Sequence, residues 1–91
     1  MEVTFDPAKN AHNIDRRGLP FERAADFDFE SALFAEDTRR DYGELRIRAL
    51  GLLNRRLHAL VFVETKRGIR VISLRKANRR EVKRYEKATQ S

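Results

Sequence analysis

Arg46 and Arg48 stand two residues apart in "LRIRALG", and Arg75, Lys76, Arg79 and Arg80 crowd into "RKANRR". Guanidinium groups keep their charge at neutral pH and present a fixed fork of N–H donors, so they grip phosphate oxygens in pairs. Glu81 and Tyr85 follow at a spacing of four, which puts a carboxyl and a phenol on one side of a helix. Such residues suit work on a phosphodiester. Arginines would offset the charge of a pentacoordinate phosphate. Metal-free cleavage of RNA also needs a group to take the 2′-hydroxyl proton and a group to protonate the leaving oxygen. Glu44, Glu81, Tyr85, His12 and His58 can carry protons. The plainer readings are a solvated basic helix, with Tyr85 as a ring packed under it.

Other chemistries lack their residues. The chain has no cysteine, so it has neither disulfides nor thiolate metal sites. Its two histidines, His12 and His58, fall on separate elements with no ligand cluster nearby, and His58 is expected to face out of an otherwise apolar strand. No glycine-rich phosphate loop and no GxSxG elbow occurs. Neither metal nor cofactor is expected.

The charge is split along the chain. Residues 1–45 carry six Lys/Arg against eleven Asp/Glu, and residues 46–91 carry fourteen against three. A basic half of this kind fits a polyanionic partner. The 91 residues make a single domain, 1–91, with one modest core. No apolar run nears the roughly 20 residues of a membrane span, and the first residues do not read as a signal peptide. A cytoplasmic location is expected.

These side chains must be positioned by a mixed set of elements. "EVTF" is a strand candidate. Asp6-Pro7 reads as a cap and first residue of a helix with Ala8, Ala11 and Ile14 as its stripe, stopped by Gly18. Pro20 opens a second helix, with Phe21, Ala24 and Ala25 on one face. "SALFA" suits a short edge strand within an acidic, mobile stretch, residues 28–44. Leu45, Ile47 and Ala49 alternate with Arg46 and Arg48, as in a half-buried strand in which Gly51 marks a bulge. "LHALVFVE" reads as a central strand and "IRVISLR" as the next. Gly68 in the "TKRG" turn suits a positive φ. On a regular strand, Arg70 and Arg75 point to opposite faces. Asn78 and Glu81 form a capping-box pair for a last helix with Val82, Tyr85 and Ala88 inward. The expected fold is α+β: an antiparallel sheet of three to five strands, two N-terminal helices and one C-terminal helix, with the helices on one sheet face.

Three blocks of the chain resemble a known family. "FDPAKNAHNIDRRGLPFERAADF" is similar to the opening of BrnT-type toxins through Asp6, Lys9, Asn13, Gly18, Phe21, Glu22 and an alanine at 24 or 25. "GELRIRALG" matches through Glu44, Arg46 and Gly51, and "RVISLRKANRREVKRYE" through Arg70, Ile72, Ser73, Arg75, Ala77, Glu81 and Tyr85. The resemblance implies a metal-independent endoribonuclease toxin of a type II toxin–antitoxin system, with a RelE-like fold. Such a toxin inhibits translation by cutting RNA. Its partner would be a cognate antitoxin with a ribbon-helix-helix DNA-binding domain, in a hetero-oligomer. Arg46, Arg75, Glu44, Glu81 and Tyr85 are then the candidate catalytic residues, with Arg79 also a candidate for phosphate. Lys9, Asn13, Arg17, Arg48, Lys76, Arg79 and Arg80 are the candidate RNA contacts. Arg16-Arg17-Gly18 replaces the family's Lys-His-Gly, and a guanidinium at Arg17 binds phosphate but is no base. The alternatives are a non-catalytic nucleic-acid-binding module, a decayed toxin, or a protein whose basic face docks an acidic partner.

Overall fold

A computed structural model describes residues 1–90. The chain opens with β1 (Glu2–Phe5) and turns at Asp6 into α1 (Pro7–Arg17). Asp6 Oδ1 accepts the Ala8 N–H at 2.9 Å, and Gly18, at φ 63°, closes the helix by donating to the Ile14 carbonyl at 2.7 Å. The apolar stripe of α1 does not enter the core: Ala8, Ala11 and Ile14 are all exposed. Two asparagines hold the helix instead. Asn13 is buried, and its Nδ2 donates to the carbonyls of Leu19 (2.8 Å) and Leu74 (3.0 Å). Asn10 Oδ1 accepts the Phe21 N–H at 2.8 Å.

The segment after Pro20 is a six-residue 3₁₀ helix, Phe21–Asp26, not an α-helix. Three residues per turn put Phe21 and Ala24 inward and leave Ala25 outside. Four strands follow: β2 (Leu33–Glu36), β3 (Ile47–Leu53), β4 (Arg56–Glu64) and β5 (Gly68–Lys76). The five-stranded sheet has the order β1-β5-β4-β3-β2.

The sheet is mixed, which corrects the purely antiparallel expectation. β2 to β5 pair antiparallel, but β1 lies parallel to β5. That pairing joins the two ends of the chain, and local turns cannot specify it. It is set by Val3 and Phe5 packing beside Ile69 and Val71. Gly68 permits it, since a Cβ there would strike the Glu2 backbone; its φ is not in the left-handed region. The hairpin turn with positive φ is the β3–β4 one instead, at Asn54 (52°) and Arg55 (64°).

Gly51 stays in register opposite His58 and makes no bulge; its missing Cβ leaves room for the Phe27 ring, 2.5 Å from where that atom would stand. The bulge lies in β5. Val61 pairs with Ser73 and Phe62 with Val71, so Ile72 is the extra residue. It shifts the alternation by one. Ile69, Val71 and Leu74 therefore share one face, while Arg70, Ser73 and Arg75 share the other. Arg70 and Arg75 end on the same side, contrary to the regular-strand expectation.

Helices cover both faces, not one. β4 is apolar on both sides, so each needs a cover. Phe21, Ala24 and Phe27 close the first face over Ala49, Leu53, Leu60, Phe62, Ile69, Val71 and Leu74. On the second, α2 (Arg79–Thr89) lays Val82 and Tyr85 on Leu50, Leu57 and Ala59. His58 belongs to the first face and is buried rather than outward; its Nδ1 lies 2.8 Å from the Arg56 carbonyl, and burial pushes its pKa down. The acidic stretch after β2 is anchored through Asp37, which is buried and whose N–H donates to the Arg46 carbonyl at 2.8 Å.

Candidate functional site

α2 covers only part of the second face. Between it and the sheet lies a cleft of about 430 Å³. Leu33, Ala35, Leu50, Ala59 and Val61 supply apolar lining, Ser73 supplies a hydroxyl, and Arg39, Arg48, Arg75 and Arg84 bring positive charge. Glu81 is the one carboxylate that lines it among the described residues.

Glu81 is positioned by the start of its own helix. Asn78 Oδ1 accepts the Glu81 N–H at 2.9 Å, and Glu81 Oε1 accepts the Asn78 N–H at 2.9 Å, a complete capping box. Both Glu81 oxygens also face Arg75, which donates from Nη1 at 2.8 Å and from Nη2 at 3.0 Å. Arg75 reaches this position because the Ile72 bulge turns it onto the α2 side. The Arg75 hydrogen bonds hold the Glu81 carboxyl down to about 2, against a burial that opposes ionisation. In return Glu81 raises the Arg75 pKa, so both groups stay charged across the physiological range.

Glu44 forms a second cluster on the same sheet face. It accepts from Arg70 Nη2 at 2.8 Å on each oxygen and from Arg46 Nε at 3.0 Å. Arg70 first, and Arg46 second, lower its pKa. The Arg46 guanidinium also lies 4.1 Å from the centre of the Tyr42 ring. This cluster stands apart from the cleft lining.

The other candidates scatter. The Tyr85 hydroxyl donates to the Ser31 carbonyl at 2.9 Å and its ring packs on Leu50, Leu57 and Ala59; it does not line the cleft. Arg79 and Arg80 are exposed in the first turn of α2. Lys9 is exposed on α1, where Asn13 spends its amide on backbone carbonyls. Arg17 and Lys76 flank Gly18 and Leu19 in a separate small depression. The structure thus brings together Arg48, Arg75 and Glu81, and separately Glu44 and Arg46.

Three cleft residues escape sequence reasoning: Arg39, Ser73 and Arg84. Arg84 carried a usable signal, since it lies three residues after Glu81 on the same helical side. Ser73 depends on the bulge. Arg39 sits in a stretch whose composition reads as loop, and only its distance of two from Asp37 hints at pairing. Among the described residues, no three His, Cys, Asp or Glu gather as a metal site.

Fold and cleft together define a small α+β protein with an arginine-lined cleft. The family model for the ribonuclease toxin BrnT of type II toxin–antitoxin systems matches residues 5–81, and the chain belongs to that family. The matched span contains Glu44, Arg46, Arg48, Arg75 and Glu81 and ends before Arg84 and Tyr85. No curated protein and no solved structure matches the chain. No helix among the described residues is long and apolar enough to cross a membrane.

Proposed function

We propose that this protein is an endoribonuclease toxin that cuts RNA without a metal ion and so inhibits translation. The observation that carries the reading is the Arg75–Glu81 pair, fixed in a cleft with three further guanidiniums. When a 2′-hydroxyl attacks the adjacent phosphorus, it loses its proton to water and negative charge grows on the non-bridging oxygens. The P–O5′ bond then breaks to leave a 2′,3′-cyclic phosphate and a 5′-hydroxyl that takes its proton from water. On this reading Arg75, with Arg48 and Arg84, stabilises the phosphate charge. Glu81 fixes the Arg75 fork; a carboxylate held down to about 2 is poorly matched to proton abstraction near neutral pH. Its role is therefore orientation. Glu44 orients Arg46 and Arg70 in the same way, extending a cationic track along the face. Tyr85 holds α2 against the Ser31 segment.

Metal independence rests on the donor set. The cleft offers four guanidiniums and a carboxylate already committed to Arg75, which repels a cation rather than holding one. Arg79 and Arg80 widen the basic approach at the α2 start, whereas Lys9, Arg17 and Lys76 act at longer range. The RelE-like architecture, the cytoplasmic location and a hetero-oligomer with a ribbon-helix-helix antitoxin complete the reading, supported by family membership.

Purified protein incubated with RNA in EDTA tests it. Cleavage is expected to survive chelation. Arg75→Ala is expected to lower the rate about 10²–10³-fold, the usual loss for one transition-state donor. The cleft lining lacks a group matched to proton transfer, and this favours a binding-only module as the second reading. RNA binding that weakens with salt, without cleavage at any concentration, would establish that module and overturn the nuclease.

A further inference from the structure

We propose that Arg39, held by the buried carboxylate of Asp37, is a second backbone-gripping arm of the cleft. It would bind a phosphate of single-stranded RNA other than the one held by Arg75. The choice of RNA as ligand rests on the function proposed above.

The two arginines are mounted alike. Arg75 is forked onto Glu81, which is 4% exposed, and Arg39 is forked onto Asp37, which is 3% exposed. Arg39 Nε donates to Asp37 Oδ1 at 2.8 Å and Nη2 donates to Oδ2 at 2.7 Å. Asp37 is itself fixed. It accepts the Tyr42 hydroxyl at 3.2 Å and the Arg39 N–H at 3.2 Å, and its own N–H ties it to the Arg46 carbonyl. The acid is sunk in the protein, while the Arg39 side chain remains 62% exposed and lines the cleft. A loop pinned only for stability would not need its cation turned towards other cations.

Arg39 faces three of them: Arg48, Arg75 and Arg84. Glu81 raises the Arg75 pKa, and the nearby Arg39 charge offsets that only slightly. Like charges converging on one cleft call for an anion between them. The arms also come from opposite walls. Arg39 follows β2 at the sheet edge and Arg75 stands on β5, with β3 and β4 between them. Three strand spacings, about 14 Å, separate β2 from β5. Each guanidinium is held at its own wall by its own acid, so the two meet different phosphates along one strand.

The test uses a short 2′-O-methyl RNA, which lacks the attacking hydroxyl and cannot be cut. Arg39→Ala is expected to weaken its binding about tenfold. The slope of log Kd against log salt should fall by about 0.7, one phosphate contact on a single strand. With cleavable RNA, KM should rise while kcat stays within about twofold, the pattern of lost uniform binding. Arg39→Ala leaves Asp37 without its cation and is liable to unfold. The Asp37→Asn/Arg39→Gln double variant keeps a neutral hydrogen-bonded pair and should show the same loss of slope. Asp37→Asn alone keeps the Arg39 charge and should weaken binding with the slope retained, which marks Asp37 as a positioning residue. A wild-type Kd and slope in both Arg39 variants would overturn the arm. A wild type that binds this RNA, loses slope with Arg39 and cuts no unmodified RNA would sink the nuclease and leave the arm standing. A wild type that does not bind it at all overturns the arm outright.

Discussion

The two faces of the sheet are built from the same strands and serve opposite ends. On the first, Leu60 and Leu74 are fully buried, and the rings of Phe29 and Phe62 meet edge to face with centroids 5.9 Å apart. On the second, one small apolar patch of β3 and β4, formed by Leu50, Leu57 and Ala59, meets a helix that leaves a cleft rimmed by arginine. The difference follows from residue type at alternate positions. Ala49, Leu60 and Leu74 point one way, and Arg48, Val61 and Ser73 the other. A dry face can be packed tightly because nothing has to enter it. The second face stays partly open, and there the Arg75–Glu81 pair and the Asn78 cap add to the packing of Val82 and Tyr85.

The sharpest way to break that contrast is to cut into the dry face. Leu53→Ala removes a fully buried side chain of the first face and is expected to cost about 3 kcal/mol, measured by urea denaturation. Its kcat/KM per folded molecule should be unchanged. A Leu53→Ala protein of wild-type stability would mean that the first face is not the main source of stability. A large loss of kcat in folded protein would mean that the faces are not separable in function.

How much of this division is legible in the sequence depends on the range of the interaction. Local signals serve well. The caps of α1 at Asp6 and Gly18, the Asn78–Glu81 box and the three-strand meander all follow from residues a few positions apart. Arg75 and Glu81 each stand out in the sequence, but their pairing depends on the Ile72 bulge. What fails is non-local. The parallel docking of β1 joins residues more than sixty apart, and the Ile72 bulge depends on how β5 registers against β4. Neither leaves a mark in periodicity, yet the bulge decides which arginines share the cleft. Asn13, a polar residue on an apparently amphipathic helix, is buried by contacts to carbonyls that the sequence cannot place. Asp37 looks like any other acid in an acidic stretch; its burial comes from the Arg46 carbonyl and Tyr42, which belong to the far side of the loop.

A smaller effect sharpens the role of charge on the open face. The Glu81 carboxyl is held down to about 2 in the folded protein, from an ordinary 4.5. A depressed pKa stabilises the fold above the unfolded value and loses that contribution as pH falls through the folded value. Wild type should therefore exceed Glu81→Gln by about 2 kcal/mol at neutral pH, the scale of hydrogen bonds to a charged group. The gap should close as pH drops from 4.5 towards 2. Urea titrations of the two proteins at stepped pH would show it. A gap independent of pH would mean that the Arg75 fork contributes shape but not charge.

The mildest expected change is at Tyr85, where the open face meets the loop before β2. Its hydroxyl donates to the Ser31 carbonyl at 2.9 Å from an exposed position, and its ring stays on Leu50, Leu57 and Ala59. Tyr85→Phe removes only the hydrogen bond, which is worth about 1 kcal/mol or less where water can replace the donor. If the phenol serves to hold α2 over the cleft, cleavage should slow no more than a few-fold and the pH–rate profile should keep its shape. A phenol that carried a proton in the transition state would behave differently, with a loss of about 10²-fold or more and a changed basic limb of the profile. Comparing the two profiles thus separates a residue that shapes the cleft from one that reacts in it. The placement of the hydroxyl, outside the cleft lining and already bonded, sets the expectation on the first.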